Sequence, residues 1–384
     1  MDLTAGEAIG SRLARNLLPP GTGEVDPGKV VAALCSIQAQ DLPSARLAIR
    51  ARSTGLTDAG VEAARVQDRS FVRTWAMRGT LHLVPASDLA WIRRLLLPGV
   101  VRSSARRSAQ LGLDEAVYRR AMELIRQDLS GGAARTRNQL QESLARRGID
   151  LSGQRAAYVL LRASVEGLIC EGPLAGGRPS YVLLDEWLTT APAPPANREA
   201  DLARLVSRYL QAYGPAGPED LASWSGLKVS ECRAAFSLCE ANLMEVSVAG
   251  RTAWTTPVAD EFQSTTPAPG GLRLLPAFDT FLLGYRHRGL HLAPRHARRV
   301  NAGGGMVRPV VLVDGRVEGS WRLVRRARKL EVVIQPFTAV PAKRRPELED
   351  EVSDIGRYLQ APASLTVGPV AGPLEPARLV EEHG

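Results

Sequence analysis

Residues 168–184 read LICEGPLAGGRPSYVLL, and this stretch decides which fold the chain adopts. Two runs of strand-forming residues, 168–171 and 180–184, flank a turn rich in glycine and proline, which predicts a β-hairpin. Three helices are expected between residue 114 and this hairpin, the second capped by Thr136 and the third by Ser152. Three helices followed by a two-stranded wing is the order of a winged helix-turn-helix unit.

The same order is predicted downstream of this segment. A helix ends at Tyr213, and Pro218 opens a second, short helix. Ser230 then caps a third helix, and residues 243–255 form a hairpin. This part of the chain therefore predicts another winged unit.

The N-terminal part of the chain fits the order as well. Helices are expected near residues 5–15, 27–37 and 43–52, and residues 71–76 and 80–84 form the hairpin. Small helical units of this kind also serve as protein-interaction modules, so the pattern by itself leaves that alternative open.

After residue 271 the pattern changes to strands. Residues 310–313 and 317–323 are two of them, and the Asp314-Gly315 pair between them is a strong hairpin signal. Pro-rich segments at 189–197 and 264–271 are expected to be linkers. We predict an α+β protein with three tandem winged helix-turn-helix units and a basic, β-rich C-terminal domain, with boundaries at 1–110, 111–190, 198–258 and 270–384.

Length and composition bound the class of protein. The chain has 384 residues, of which 45% are apolar and 23% charged, the balance of a folded globular protein. No stretch reaches the ~18 consecutive apolar residues of a membrane span, and the N-terminus has no signal pattern. We therefore expect a cytoplasmic protein with no membrane partner, and a nucleoid-associated one if its partner is DNA. The scattered cysteines, and histidines that lack metal-site spacing, predict neither a metal site nor another cofactor.

The charge distribution points to a polyanionic partner. Arginine and lysine total 49 against 40 acidic residues, a net charge of +9. Residues 273–345 alone have a local net charge of +12, so nucleic acid is the first partner to consider. For any single arginine, a solvated basic surface is the alternative. The candidate DNA-binding residues are Arg286, Arg288, Arg295, Arg298 and Arg299, on a predicted groove-reaching hairpin, and Arg325 and Arg326, in a second basic run.

A pair of glutamines lies at the end of the second predicted helix. Pro43 disfavours a helical conformation at Leu42, so that helix is expected to end near residues 38–41. Side chains two residues apart in extended backbone share a side, which directs Gln38 and Gln40 into one cleft. Two solvated surface glutamines are the alternative.

Three blocks of the sequence resemble the AlkZ-type winged-helix DNA glycosylases. They are residues 36–48 (SIQAQDLPSARLA), 71–85 (FVRTWAMRGTLHLVP) and 276–279 (PAFD), and the similarity covers most of the chain. The resemblance implies a C-shaped array of winged helices that receives duplex DNA, with a β-hairpin reaching into a groove. It implies monofunctional excision of N7-alkylated purines, often bulky ones, and for some members the unhooking of interstrand crosslinks.

The resemblance also assigns the site. Gln38 and Gln40 fall on the family's two catalytic glutamine positions. A related branch has Asp at the second position, and this chain has Gln there. Because Asp41 follows immediately, an alternative register remains to be tested by a control variant.

The chemistry of this excision suits two neutral amides. Alkylation at N7 makes the purine positively charged, so its release needs no strong general acid. A glutamine carbonyl holds the attacking water and places negative partial charge beside the developing oxocarbenium ion. A neutral site also avoids binding the cationic ground state too tightly. Lyase activity is not expected, since no amine nucleophile is suggested.

Functions of other classes stay open at the level of the sequence. One is a non-catalytic winged-helix DNA-binding protein such as a transcription regulator, which at this size is usually a dimer. No coiled-coil heptad is evident, and tandem wings on one chain favour a monomer. Another is a protein-interaction scaffold. The sequence also leaves open the natural lesion, and whether the role is general base excision repair or self-resistance in a producer of alkylating compounds.

Overall fold

The computed structural model of the protein describes residues 1–21, 23–188, 197–257, 271–326, 329–339 and 341–370. Residues 189–196 and 264–270 of the predicted linkers lie outside the described residues, as does the tail beyond residue 370. Within the described ranges, no helix is both long enough and apolar enough to cross a membrane.

Helices and strands alternate along the described chain. The helices are α1 (Ala5–Arg15), α2 (Pro27–Ala33), α3 (Leu42–Arg50), α4 (Asp58–Val66), α5 (Leu89–Gln110), α6 (Glu115–Leu129), α7 (Arg137–Ala145), α8 (Arg155–Val165), α9 (Leu184–Trp187), α10 (Arg198–Tyr213), α11 (Pro218–Ser225), α12 (Val229–Cys239), α13 (Thr280–Leu283), α14 (Ala297–Val300) and α15 (Arg345–Tyr358). The strands are β1 (Asp2–Leu3), β2 (Ile37–Gln38), β3 (Phe71–Trp75), β4 (Leu81–Pro85), β5 (Arg135–Thr136), β6 (Ile169–Ala175), β7 (Arg178–Leu183), β8 (Met244–Val248), β9 (Arg251–Thr255), β10 (Leu272–Leu275), β11 (Asn301–Gly303), β12 (Met306–Val307), β13 (Val310–Val313), β14 (Arg316–Arg326), β15 (Lys329–Pro336) and β16 (Ala363–Val367).

One order of elements occurs three times: a helix, a short strand or bridge, two further helices and a hairpin. It runs from α2 to β4 in the first unit, from α6 to β7 in the second and from α10 to β9 in the third. In the first two units the short strand pairs with the second strand of the hairpin, β2 with β4 and β5 with β7. In the third, a bridge between Ala216 and Trp254 takes the place of that pairing. The predicted hairpins in all three segments are present.

The N-terminal helix is present as predicted, at α1, but it packs with the third unit and the C-terminal domain rather than completing the first unit. β1 pairs in parallel with β8 of the third unit, and Nη2 of Arg12 in α1 donates to the carbonyl oxygen of Pro215 at 2.8 Å. Ile9 and Leu13 pack in a core cluster with residues of the C-terminal domain, including Leu275. Residues 2–15 therefore join the third unit to the C-terminal domain, a long-range arrangement that no local pattern reveals.

The helix that completes the first unit is α4, which the sequence analysis did not predict. Thr57 caps it by accepting a hydrogen bond from the backbone N–H of Gly60 at 3.1 Å. Its buried apolar residues are Val61 and Ala64. Because this apolar stripe has only two residues with small side chains, the helical periodicity in the sequence is weak. The predicted helix at 27–37 also ends early, at Ala33.

Two predicted helix caps are wrong as well. Ser152 lies before α8, and its hydroxyl donates to Oδ2 of Asp150 at 2.9 Å. Ser230 lies inside the first turn of α12, which begins one residue earlier. Thr136 does cap α7 as predicted, through a reciprocal pair of hydrogen bonds with Gln139.

The hairpins of the first and second units join into one six-stranded sheet with the order β2-β4-β3-β6-β7-β5. The two hairpins meet where Arg73 of β3 pairs with Glu171 of β6. Consequently the first and second units share backbone hydrogen bonding rather than only side-chain contacts.

The C-terminal domain is built on a five-stranded sheet with the order β10-β13-β14-β15-β16. The predicted strands are present, and the turn between β13 and β14 has positive φ at Asp314 and Gly315. One core cluster packs α15 and residues of α3 against this sheet. The sequence analysis did not predict α15 or β16, and it assigned the whole tail after Gln360 to a Pro- and Gly-rich pattern that begins only after β16, at residue 368.

The groove-reaching hairpin predicted for the segment after residue 283 is not where it was expected. Residues 284–300 contain loops, a 3-10 turn at Pro294–His296 and α14. A hairpin follows at β11 and β12, with Gly303, Gly304 and Gly305 all at positive φ in and around its turn. These glycines make a tight turn possible without side-chain strain.

Candidate active site

Gln38 lies in strand β2 and is extended, as predicted; Ala39 continues along β4, and Gln40 lies in a bend before α3. α2 ends at Ala33, and Cys35 takes a left-handed conformation with φ of 61°. Gln38 then pairs with His82 in the sheet, and the N–H of Ala39 donates to the carbonyl oxygen of Leu81 at 2.7 Å. Ala39 is fully buried. The sheet pairing therefore fixes the backbone of Gln38 and Ala39.

The two glutamine side chains contact neighbouring residues, Arg78 in the turn that connects β3 to β4 and Leu81 at the start of β4. Nη2 of Arg78 donates to Oε1 of Gln38 at 2.6 Å, and the backbone N–H of Leu81 donates to Oε1 of Gln40 at 3.3 Å. Guanidinium and backbone N–H groups only donate, so the atoms facing them are the amide oxygens. Each oxygen keeps a second lone pair. Gln38 is largely buried, whereas Gln40 is exposed.

Arg78 connects this turn to the third unit. Its Nη1 donates to the carbonyl oxygens of Ser223 and Trp224, at the C-terminal end of α11. Those carbonyls lack helical partners, and the helix dipole is negative there, so a cation is favoured. Burial lowers the pKa of Arg78 from its ordinary value. Gly226 approaches it so closely that an added Cβ would lie 3.1 Å from Cγ of Arg78.

Arg73 connects the same segment to the second unit. Its Nε donates to the carbonyl oxygen of Ala39 at 2.8 Å, and its Nη2 to that of Gln40 at 3.3 Å. Its Nη1 forms a buried ion pair with Glu171 of β6. Burial raises the pKa of Glu171, and the Arg73 charge opposes that shift. The Gln38-Ala39-Gln40 segment thus lies where the three units meet.

Comparison with known proteins assigns the family. Residues 31–358 match the family described as DNA glycosylase AlkZ-like. The chain belongs to the AlkZ-like DNA glycosylase family. It is 30% identical over 366 residues to the interstrand DNA cross-link repair glycosylase of Streptomyces sahachiroi. That alignment covers 90% of this chain and 94% of the Streptomyces protein. It also matches the solved structure of the Streptomyces sahachiroi DNA glycosylase AlkZ, with a TM-score of 0.77, 28% identity, and coverage of 95% of this chain and all of the other.

Three further residues near the glutamines of this AlkZ-like chain have structural contacts. Asp41 caps α3, its Oδ2 accepting from the backbone N–H of Ser44 at 2.9 Å. His82 is buried with Nδ1 2.9 Å from the carbonyl oxygen of Thr80, and burial together with the Arg78 charge lowers its pKa to about 3. Trp75 stacks on Tyr181 of the second unit. Asp41 thus has a capping role, and His82 is neutral at ordinary pH.

The predicted DNA-binding arginines of this family member differ in environment. Arg288 is half-buried and donates to Oδ1 of Asn301 at 2.9 Å, and Arg299 stacks over the Phe337 ring at 5.4 Å. Arg326 pairs with Glu331 at 3.3 Å. The exposed members of the set are Arg286, Arg295, Arg298, Arg325 and Arg326. The two half-buried arginines therefore help to hold the fold.

Sequence reasoning did not assign a role to Arg73 or Arg78, which it quoted only within a block of resemblance. A signal for Arg73 was present. It follows the buried residues Phe71 and Val72 in a predicted strand, and a charge buried there requires a partner. Arg78 has no such local signal, because its acceptors lie in the third unit.

Among the described residues, no group of three or more His, Cys, Asp and Glu side chains is arranged to hold a metal ion.

Proposed function

We propose that this AlkZ-like protein is a monofunctional DNA glycosylase that hydrolyses the N-glycosidic bond of N7-alkylated purines in duplex DNA, bulky and crosslinked ones included. The observation that carries this proposal is the pair of amide oxygens, of Gln38 and Gln40, held beside one turn at the junction of three units. The name of its Streptomyces relative, an interstrand DNA cross-link repair glycosylase, supports the crosslink substrate.

In this proposal the glutamines assist departure of a leaving group that is already cationic. One amide oxygen accepts a hydrogen bond from the attacking water and orients it toward the anomeric carbon. The other places its partial negative charge beside the sugar as that ring develops oxocarbenium character. Water adds its oxygen to the sugar, the bond electrons leave with the purine, and the proton from water passes to solvent. Arg73 and Arg78 keep the segment and the Gln38 amide oriented.

The three repeated units act, in this proposal, as winged helices in a C-shaped array around the duplex, and the protein works as a monomer. The hairpin of β11 and β12 is the one that enters a groove, in place of the segment first expected to do so. Met306 on this hairpin is exposed and apolar, the residue type that minor-groove proteins insert between base steps. The exposed arginines Arg286, Arg295, Arg298 and Arg325 contact phosphates.

The test is base release from a duplex that carries one N7-alkylguanine, scored as alkali-labile strand breaks. We expect wild type to release the base and Gln38→Ala/Gln40→Ala to lose at least about 100-fold in rate while duplex binding persists. Gln211→Ala, a change at an exposed glutamine of α10, is the matched control. Strand breaks that appear before alkali treatment would instead indicate lyase chemistry.

Asp41→Asn tests the alternative register. Because Asp41 caps α3, we expect a loss of stability of about 1 kcal/mol or less and base release within a few-fold of wild type. Tight duplex binding by wild type, with no base released from methylated, bulky or crosslinked substrates, would reject the proposed glycosylase activity. The protein would then be a non-catalytic DNA-binding protein.

A further inference from the structure

The backbone turn between α2 and Gln38 is strained. Cys35 is fully buried and has φ of 61°, a left-handed conformation that residues with a side chain rarely adopt. The N–H of Ser36 donates to the carbonyl oxygen of Leu34 at 2.6 Å, which closes a three-residue turn around Cys35. A residue keeps such a conformation only when the surrounding structure holds it there. The turn that leads to Gln38 therefore depends on contacts from outside it.

Two side chains of α10, in the third unit, contact the carbonyl groups at this turn. The hydroxyl of Tyr213 donates to the carbonyl oxygen of Leu34 at 3.2 Å. Nη2 of Arg208 donates to the carbonyl oxygen of Ala32 at 2.5 Å and to Oδ2 of Asp88 at 2.8 Å. The C-terminal end of an α-helix leaves such carbonyl groups without helical partners. Helix α10 thus holds the end of α2 at two points.

Tyr213 is well suited to hold the turn. Its acceptor, Leu34, directly precedes the left-handed Cys35. The Tyr213 ring is fully buried, with its centroid 5.2 Å from that of Tyr209 and 5.6 Å from that of Trp224, so packing fixes the position of the hydroxyl. Burial raises the pKa of Tyr213, and the hydroxyl therefore keeps the proton that it donates.

We propose that Tyr213 is a positioning residue for base release. Its hydroxyl holds the Leu34 carbonyl and thereby keeps Cys35 left-handed. That conformation sets the direction in which the chain enters β2, where Gln38 lies three residues later. A small displacement of a group that acts on the reacting atoms lowers the rate steeply. The inference rests on the proposed function and adds α10 of the third unit to the elements that control its rate.

The test uses two tyrosines of α10 that hold different carbonyl groups. Tyr213→Phe removes the hydroxyl that contacts Leu34 and keeps the ring. Tyr209→Phe is the matched control, because Tyr209 is equally buried and donates at 2.7 Å to the carbonyl oxygen of Gly284, in the C-terminal domain. Each variant loses one buried hydrogen bond, so each should lower Tm by about 1–4 °C.

The two variants should differ in the rate of base release from an N7-methylguanine duplex. Tyr213→Phe is expected to lower kcat about five- to tenfold with KM within about twofold of wild type, because only the orientation of Gln38 changes. Tyr209→Phe should leave both constants within about twofold. Hydrogen exchange of the amides in residues 34–40 should be at least about fivefold faster in Tyr213→Phe and unchanged in Tyr209→Phe.

A glycine at the turn tests whether the hydroxyl acts through Cys35. Glycine adopts positive φ without steric strain, so in a Cys35→Gly protein the turn no longer depends on Tyr213. Adding Tyr213→Phe there should change kcat less than about twofold. Because both proteins in this comparison contain Cys35→Gly, any effect of that substitution itself cancels. A fall as large as in the wild-type background would overturn the proposal.

The outcomes separate the two proposals. No base release by wild type rejects the proposed function, and with it the role of Tyr213. If wild type releases the base while Tyr213→Phe matches Tyr209→Phe in kcat and in hydrogen exchange, only the positioning role is rejected. An equal fall of kcat in both variants rejects it too, since the loss would then follow from lower stability.

Discussion

At the residue scale, the orientation of Gln38 depends on one cation. Arg78 is held by carbonyl oxygens of α11 on one side and donates to Oε1 of Gln38 on the other. A guanidinium offers several donors in a fixed planar arrangement, and the ammonium of lysine does not. The side chain therefore acts on Gln38 by its geometry as well as its charge.

Arg78→Lys separates geometry from charge. We expect kcat for base release to fall by about tenfold or more, because the Gln38 amide loses its fixed orientation, while KM changes little. Single-turnover rates and KM measured on an N7-alkylguanine duplex check this. Arg119→Lys, at an exposed position of α6, is the control and should leave kcat unchanged. A rise in KM with kcat preserved would assign Arg78 to substrate binding instead.

At the scale of elements, the contact between β3 and β6 joins the first and second units. Arg73 and Glu171 form the ion pair at that junction, and both side chains are nearly inaccessible to solvent. The remaining donors of Arg73 hold the carbonyl oxygens of Ala39 and Gln40. One buried pair therefore links the sheet to the backbone of the glutamine segment.

A double-variant cycle measures this link. Arg73→Met leaves Glu171 buried without its partner and should lower the free energy of unfolding by about 3–5 kcal/mol. Arg73→Met/Glu171→Leu should recover part of that stability, because no charge is then stranded. Base release should stay low in both, since the carbonyl contacts of Arg73 are gone. Urea unfolding measures the stability, and single-turnover assays measure base release. If the double variant recovers both activity and stability, Arg73 has no positioning role.

At the scale of the whole molecule, the positive charge is concentrated in the C-terminal part of the chain. The exposed Arg295 and Arg298 lie just before the hairpin of β11 and β12. A surface of this kind binds the phosphate backbone mainly through release of counterions. Its contribution to binding is therefore measurable as a salt dependence.

Salt titration of duplex binding tests this surface. Duplex affinity should fall linearly with salt on logarithmic axes, and Arg295→Ala/Arg298→Ala should make that slope shallower by about 1.8, at ~0.9 per phosphate contact. Arg345→Ala is the control, because Glu349 lies 2.9 Å away and compensates its charge. An unchanged slope in the double variant would place the DNA elsewhere on the molecule.

The sequence by itself determined the features that depend on neighbouring residues. The hairpin at β6 and β7, the cap at Thr136 and the strands around Asp314-Gly315 follow from local turn chemistry and alternation of apolar residues. The extended backbone at Gln38 is as expected, but the reason given for it was wrong. Leu42 is the first residue of α3 in spite of Pro43, and the preceding helix ends at Ala33, before the left-handed Cys35. The weak helix α4 was missed because its apolar stripe is short.

Only the tertiary structure decided what surrounds the glutamines. Arg73 and Arg78 contact them from 33 to 40 residues away, and the partners of those arginines lie about 100 to 150 residues farther along the chain. A cavity lined by α3 and β14 likewise combines distant parts of the chain. Contacts at such separations arise when the units pack together and bury their charged groups in pairs. Secondary-structure propensity depends on neighbouring residues and does not include the burial of charged groups that are distant in the chain. The sequence therefore located the glutamines, and the packing of the units supplied the site around them.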